Sequence, residues 1–217
     1  MAVSQRSTYE SARGAIVRSE LLVAGLDPEC DARCDARADP LRFDSGKGAV
    51  MKRPESTEYA PYYGRYVDLV TENDVVAAME KQAGETAKIL GGIDETRSAF
   101  RYAPDKWSIK EMIGHVADGE RVFAYRALSF ARDDKNALPG FEQDDWMKTS
   151  NFDRWSFADL RDNFIAVRRA SVLLFRNLAE EAWERRGTAS GNPVSVRALA
   201  YIMTSPYLVS IPSCLSL

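Results

Sequence analysis

The sequence predicts an all-α protein: an antiparallel four-helix bundle with an incomplete last helix and a disordered N-terminal extension. Apolar residues recur at helical spacing in four segments, and each segment begins with a residue that can cap a helix. No segment shows the alternation of apolar and polar residues that is typical of a strand. Four helices joined by loops favour a bundle because each helix must bury its apolar face against another.

The first two helices have well-defined predicted ends. The first begins at Asn73 or Asp74, either of which can accept a hydrogen bond from a backbone amide, and ends at the glycine pair 91–92. In the second, Ser108 and Glu111 have the spacing of a capping box, in which each side chain binds the backbone amide of the other residue. One side of this helix is apolar and carries Ile109, Ile113, Val116, Phe123, Ala124, Ala127 and Ala131.

The third and fourth helices follow the same pattern. Ser156 and Asp159 predict a second capping box, and apolar residues follow at helical intervals from Leu160 onward. After a turn region over residues 187–191, Ser195 can cap the fourth helix. This helix is predicted to end before Pro206, because proline lacks an amide donor and disfavours helical geometry in the residue before it.

The chain is predicted to have three parts. Residues 1–50 mix charges of both signs without an apolar stripe and are expected to be a disordered extension, or an artefact of gene prediction if Met51 is the physiological start. Residues 51–203 form the bundle. Residues 204–217 are an atypical apolar tail rich in serine and proline, and we hypothesise that the reading frame changes after about Met203, which would truncate the last helix.

Composition excludes several classes of partner. A net charge of −3 does not suit a protein that neutralises many phosphates, so we expect no nucleic-acid partner. Pro206 and Pro212 argue against a membrane span in the tail, and without a signal sequence a cytoplasmic location is expected. Cys30, Cys34 and Cys214 form no disulfide framework, and the first two lack the second ligand pair of a zinc site.

Several motifs together resemble the DinB-like superfamily, the damage-inducible-type four-helix proteins that include the YfiT-like bacillithiol transferases. The resemblance covers roughly residues 59–203 and implies a divalent metal, zinc or nickel, held by three histidines in the bundle. It further implies transferase or hydrolase-like chemistry in which the metal activates a low-molecular-weight thiol. The motifs are Trp107-Ser108-x-Lys110-Glu111-x-x-Gly114-His115-x-x-Asp118-x-Glu120-Arg121, Pro139-Gly140-Phe141, Trp183 and Pro193-Val194-Ser195-Val196-Arg197.

His115, the only histidine in the chain, matches the family's first metal-ligand position. The other two positions would fall near Pro206 and Ser210, neither of which can replace imidazole. Because a Lewis-acid metal needs about three protein ligands, we expect metal binding to be weak or absent. Glu111 and Asp118 share the His115 side of the helix and are weak candidate ligands. The alternative is a histidine bound to a carboxylate or a backbone group without a metal.

Glu120 lies within the apolar arc of the second helix, so its carboxylate must find a partner or raise its pKa. The first hypothesis is a structural ion pair with Arg168 or Arg197. The second is a carboxylate that orients the metal ligands by hydrogen bonding, without contacting the metal itself.

Two functions therefore stay open from the sequence. The first is a DinB-like protein related to metal-dependent thiol S-transferases with a defective metal site, whose partner would be a small-molecule thiol or electrophile. The second is a non-catalytic binding or dimerisation module, in which a homodimer buries the apolar flank beside the short last helix. A third, weaker possibility is a nonfunctional fragment that folds incompletely.

Overall fold

The computed structural model describes residues 52–205, and the predicted extension over residues 1–50 and the tail from residue 206 lie outside this range. Short 3₁₀ turns occur at Ser56–Glu58, Pro61–Tyr63, Phe152–Arg154 and Glu180–Ala182. The strands are β1 (Arg186–Ala189) and β2 (Asn192–Ser195). The helices are α1 (Gly64–Val67), α2 (Val75–Gly91), α3 (Glu95–Ser98), α4 (Ile109–Ala131), α5 (Gln143–Thr149), α6 (Phe157–Arg176) and α7 (Val196–Thr204).

The four predicted helices correspond to α2, α4, α6 and α7, which form the bundle. Helix α4 packs against α6 and α7, and α2 packs against the same two helices. All nine residues of α7 are buried, so this helix lies in the core rather than at its edge. The all-α bundle is thus confirmed. Within residues 52–205, no helix has the length and apolarity needed to cross a membrane.

The helix starts agree with the predicted caps, with one exception in detail. Asp74 accepts a hydrogen bond from the Ala77 amide, and both bonds of the box between Ser108 and Glu111 are present. Ser156 accepts from the Asp159 amide at 3.0 Å, but the Asp159 carboxylate binds the Ser156 hydroxyl rather than its backbone amide. The second half of that predicted box is therefore wrong. Aspartate is one methylene shorter than the glutamate that this motif requires.

The bundle also carries one small two-stranded sheet that the sequence pattern did not reveal. Strands β1 and β2 pair antiparallel, with Arg186 opposite Ser195 and Ala189 opposite Asn192. The connecting residues Ser190 and Gly191 both have positive φ, 52° and 74°, as a tight two-residue hairpin turn requires. The turn predicted over residues 187–191 is thus shorter than expected, because Gly187 belongs to β1. A Cβ on Gly187 would collide with the Phe130 ring that packs there.

A buried carboxylate, Glu58, ties the segment before α1 to the start of α7. Its Oε2 accepts hydrogen bonds from Ser195 Oγ and Arg197 Nε, each at 2.7 Å, and its Oε1 accepts from Arg197 Nη2. Burial by itself raises the pKa of Glu58, but the bonds from Arg197, the Glu55 amide and Ser195 outweigh burial and lower this pKa from 4.5 to about 2. The folded protein therefore favours the charged carboxylate.

We expect Glu58→Gln to destabilise the protein in a pH-dependent way. Because the pKa of Glu58 is lower in the folded chain than its ordinary 4.5, its stabilisation is present above pH 4.5 and is lost as the pH falls toward 2. A shift of this size corresponds to about 3 kcal/mol in the free energy of unfolding. Urea unfolding of wild type and variant at neutral pH and near pH 2 measures the difference.

Glu184→Gln is the matched control, because the exposed Glu184 carboxylate contacts the same Arg197 at 3.5 Å. An exposed pair contributes about 0–1 kcal/mol, so this variant should stay close to wild type. A difference between wild type and Glu58→Gln that does not shrink on acidification would contradict the assignment.

Candidate functional site

A cleft of about 1520 Å³ runs along α4. His115, Gly119, Phe123 and Arg126 line it from one side of this helix, since residues three and four positions apart share a helix face. The walls also include the segment before α2, the loop before α4, the start of α5, Ser190 in the turn between β1 and β2, and the end of α7. Much of the lining is aromatic and includes Tyr62, Tyr63, Tyr66, Trp107, Phe123 and Phe141.

His115 is half-buried in this cleft and packs against Trp107, with ring centroids 4.7 Å apart. Burial lowers the pKa of His115, while the negative charges of Asp118 and Asp144 act in the opposite direction. The net lowering favours the neutral imidazole at neutral pH, which is the form that can bind a metal or accept a proton. Asp144, at the start of α5, was not among the predicted site residues, because only the tertiary fold brings it near His115.

Gly114 lets another part of the chain approach the helix beside His115. The Phe152 ring occupies the space that a Cβ on Gly114 would need. Phe152 is buried, and it also contacts the Trp155 ring at a centroid distance of 5.8 Å. The glycine of the motif therefore holds α4 close to the segment that leads into α6.

The two carboxylates predicted as weak metal ligands both have protein partners. Glu111 accepts hydrogen bonds from the Ser108 amide at 2.7 Å and the Ser108 hydroxyl at 2.9 Å, and it forms an ion pair with Arg101 at 2.5 Å. Asp118 pairs with Arg121 at 3.3 Å, and burial raises the pKa of the Asp118 carboxyl. Glu111 is thus part of the helix cap, and Asp118 is the less strongly engaged of the two.

Glu120 forms a buried ion pair with Arg168 of α6, with 3.2 Å between Glu120 Oε2 and Arg168 Nε. Arg168 Nη2 also donates to the Met203 carbonyl of α7 at 3.3 Å. Of the two partners expected for Glu120, Arg168 is correct and Arg197 is not, because Arg197 binds Glu58. The pair joins three bundle helices beside the cleft.

The donor set does not fit the three-ligand metal site that the resemblance implies. Within residues 52–205, no three His, Cys, Asp or Glu side chains form a group that could hold a metal ion. By sequence, residues 206–217 add one conventional donor, Cys214. His115 therefore lies in the cleft without a recognisable set of companion ligands among the described residues.

Sequence reasoning missed Arg126, a buried cation in the same cleft. The residue is 3% exposed, and its Nη2 donates to the Pro139 carbonyl at 2.8 Å and to Ser190 Oγ at 3.0 Å. Its guanidinium lies over the rings of Phe123 and Phe141, at 5.3 and 5.9 Å from their centroids. The available signal was its spacing from His115, Gly119 and Phe123, which puts it on the cleft side of α4.

We expect Gly114→Ala to destabilise the protein by about 1–3 kcal/mol, because the added methyl group must displace the buried Phe152 ring. Gly119→Ala is the matched control on the same helix, since a Cβ there meets nothing within 4 Å. Alanine favours the helix over glycine by about 0.5–1 kcal/mol, so the control should be neutral or slightly more stable. Urea unfolding measures both, and equal effects at the two positions would refute the packing argument.

The comparisons with known proteins agree with this architecture. The DinB superfamily family model matches residues 78–205. A search of curated protein sequences found no match to the chain.

The solved structures with similar folds include YfiT and a maleylpyruvate isomerase. YfiT from Bacillus subtilis, described as a probable metal-dependent hydrolase with an unusual four-helix bundle topology, is 10% identical with a TM-score of 0.58, over 73% of this chain and 91% of that one. A mycothiol-dependent maleylpyruvate isomerase is 14% identical with a TM-score of 0.55, over 70% of this chain and 62% of its own, so this chain spans less than two thirds of it. At these identities the likeness concerns the fold alone. With the match of the family model over residues 78–205, the chain belongs to the DinB superfamily.

Proposed function

We propose that this protein binds a small organic molecule in the cleft along α4, and that it is related to metal-dependent thiol S-transferases but has a defective metal site. The observation that carries the proposal is a large, aromatic-lined cleft in which His115 is the single imidazole. The lining also contains charged residues, among them Lys106, Glu142 and Asp144, and aromatic walls combined with polar groups can hold and orient a small organic ligand. The family resemblance makes a thiol or an electrophile the expected class of ligand.

The residues of the cleft suit binding better than metal-dependent turnover. The neutral His115 imidazole can accept a hydrogen bond from a thiol or hydroxyl group, and the tyrosine hydroxyls at the cleft can donate one. Glu111 already binds Arg101 and the Ser108 cap, which leaves it poorly placed to join His115 at a metal. The similar YfiT is described as metal-dependent and the similar isomerase as mycothiol-dependent, so both chemistries occur on this fold.

We expect the purified full-length protein to bind zinc or nickel far below one ion per chain. A single neutral imidazole gives too few ligands for tight binding. Metal analysis after incubation with each ion and desalting measures the content, and His115→Ala is the comparison variant. A metal content near one ion per chain that His115→Ala abolishes would overturn the defective-site part of the proposal.

We expect the cleft to bind a neutral aromatic probe, 2-naphthamide, and a bulky residue at Gly119 to block it. Gly119 lines the cleft and a Cβ there meets no neighbour within 4 Å, so Gly119→Phe starts a side chain in open space and directs a ring toward the cleft. Its affinity for the probe should fall at least about tenfold, which corresponds to about 1.4 kcal/mol. Isothermal titration calorimetry measures the change.

Gly84→Phe is the control for this experiment, because Gly84 also has open space around it but lies on α2, away from the cleft lining. It should bind the probe as wild type does. If neither substitution alters binding, or if wild type does not bind the probe, the cleft is not the ligand site.

The alternative from the sequence is a non-catalytic binding or dimerisation module. Formation of a homodimer stays a prediction from the sequence.

A further inference from the structure

Arg126 differs from every other buried cation among residues 52–205. Lys110 pairs with Glu95, Arg168 with Glu120, and Arg197 with Glu58. Arg126 is buried to the same degree, yet no ion pair in this part of the chain joins it to a carboxylate. A buried charge is costly unless it is paired, so this guanidinium is a site where a bound anion would lower the free energy.

The groups around Arg126 are neutral. Its Nη2 donates to a carbonyl and a hydroxyl, those of Pro139 and Ser190, and two aromatic rings lie against its face. Burial lowers the pKa of Arg126, and the ionisable neighbour that acts against this is the Tyr63 hydroxyl. An arginine nevertheless stays protonated at neutral pH. The surrounding protein therefore orients the cation without neutralising it.

Arg126 is also placed where a ligand can reach it. It lines both the large cleft and an adjoining cavity of about 220 Å³ near the β1–β2 hairpin. Along α4 it lies eleven residues after His115, or about 16 Å at the helical rise of 1.5 Å per residue. At the His115 end, the negative charge of Asp144 opposes the lowering of the His115 pKa by burial. Arg126 thus lies toward one end of the cleft, and His115, with the negative charges of Asp118 and Asp144 near it, lies toward the other.

We propose that Arg126 binds the carboxylate of an organic monoanion whose apolar part packs against Phe123, Phe141 and Tyr63. This inference rests on the proposed function and names the class of ligand that the cleft takes. Besides the two bonds from Nη2, the guanidinium carries N–H donors on Nε and Nη1 that can form charge-assisted hydrogen bonds with a carboxylate. One cation balances one negative charge, whereas a phosphate dianion would remain undercompensated in this otherwise neutral surrounding.

Three probes with the same ring test the head group: 2-naphthoate, 2-naphthamide and 2-naphthyl phosphate. Calorimetric titration of the full-length protein should show that 2-naphthoate binds about ten- to hundredfold more tightly than 2-naphthamide, as a charge-assisted pair with a buried cation allows. The phosphate should bind more weakly than the carboxylate. Equal affinities for carboxylate and amide, or tighter binding of the phosphate, would overturn the assignment.

The variant Arg126→Gln should bind carboxylate and amide with equal affinity and should leave amide binding within about twofold of wild type, because only the charge-assisted pair is lost. Arg65→Gln is the matched control, since Arg65 stacks on the rings of Tyr62 and Tyr66 at the same cleft but is exposed. It should keep the preference for carboxylate. A preference that survives in Arg126→Gln, or one that Arg65→Gln removes, contradicts the role of Arg126.

If Arg126→Gln no longer binds 2-naphthamide either, Arg126→Lys is the deciding variant, because lysine keeps a cation but lacks the planar guanidinium. It should bind the amide and show a preference for carboxylate weaker than that of wild type. An undiminished preference would overturn the assignment of the preference to the guanidinium. Binding of 2-naphthamide distinguishes this inference from the proposed function. If the protein binds the amide but does not prefer the carboxylate, the result supports the ligand cleft and refutes the anion site at Arg126. If neither 2-naphthamide nor 2-naphthoate binds, the proposed function and the anion site are both refuted.

Discussion

The buried ion pair between Glu120 and Arg168 fixes how the bundle helices meet beside the cleft. It joins α4 to α6, and the bond from Arg168 to the Met203 carbonyl extends the connection to α7. Such a pair contributes little net stability compared with well-packed apolar side chains, but removing one partner costs about 3–5 kcal/mol because a charge is then left uncompensated. That cost disfavours any arrangement of the helices that separates Glu120 from Arg168, and His115 and Arg126 lie on either side of this pair along α4.

The cost of burying an unpaired charge distinguishes the ion pairs that stabilise the fold from the cation that can bind a ligand. Glu58 and Glu120 each have an arginine partner inside the protein, so their charges serve the fold. Arg126 is held by neutral acceptors and aromatic rings, so its charge remains available to a molecule in the cleft. At the opposite end, burial keeps His115 neutral against two nearby carboxylates. A ligand lying along α4 would meet a cation at one end and a hydrogen-bonding imidazole at the other.

The sequence predicted what depends on local interactions and missed what depends on tertiary contacts. Capping is local, so the starts at Asp74, Ser108 and Ser195 were correct. The hairpin was missed because each strand has four residues, too few for an alternating pattern, and its turn depends on two residues of positive φ. The spacing on α4 put Glu120 among apolar residues but could not choose between Arg168 and Arg197, since the choice depends on how α6 and α7 pack. Arg126 was overlooked because a charged residue in a helix is normally solvated.

The residues by which this chain resembles its family act largely in folding. Ser108 and Glu111 close the start of α4, Gly114 admits the Phe152 ring, and Ser195 caps α7 while it holds Glu58. None of these contacts requires a metal, so a chain can retain them and form the bundle whether or not its cleft holds an ion. Likeness to metal-dependent proteins therefore supports the fold more strongly than the reaction. The chemistry has to be argued from the side chains that line the cleft, among them His115 and the buried Arg126.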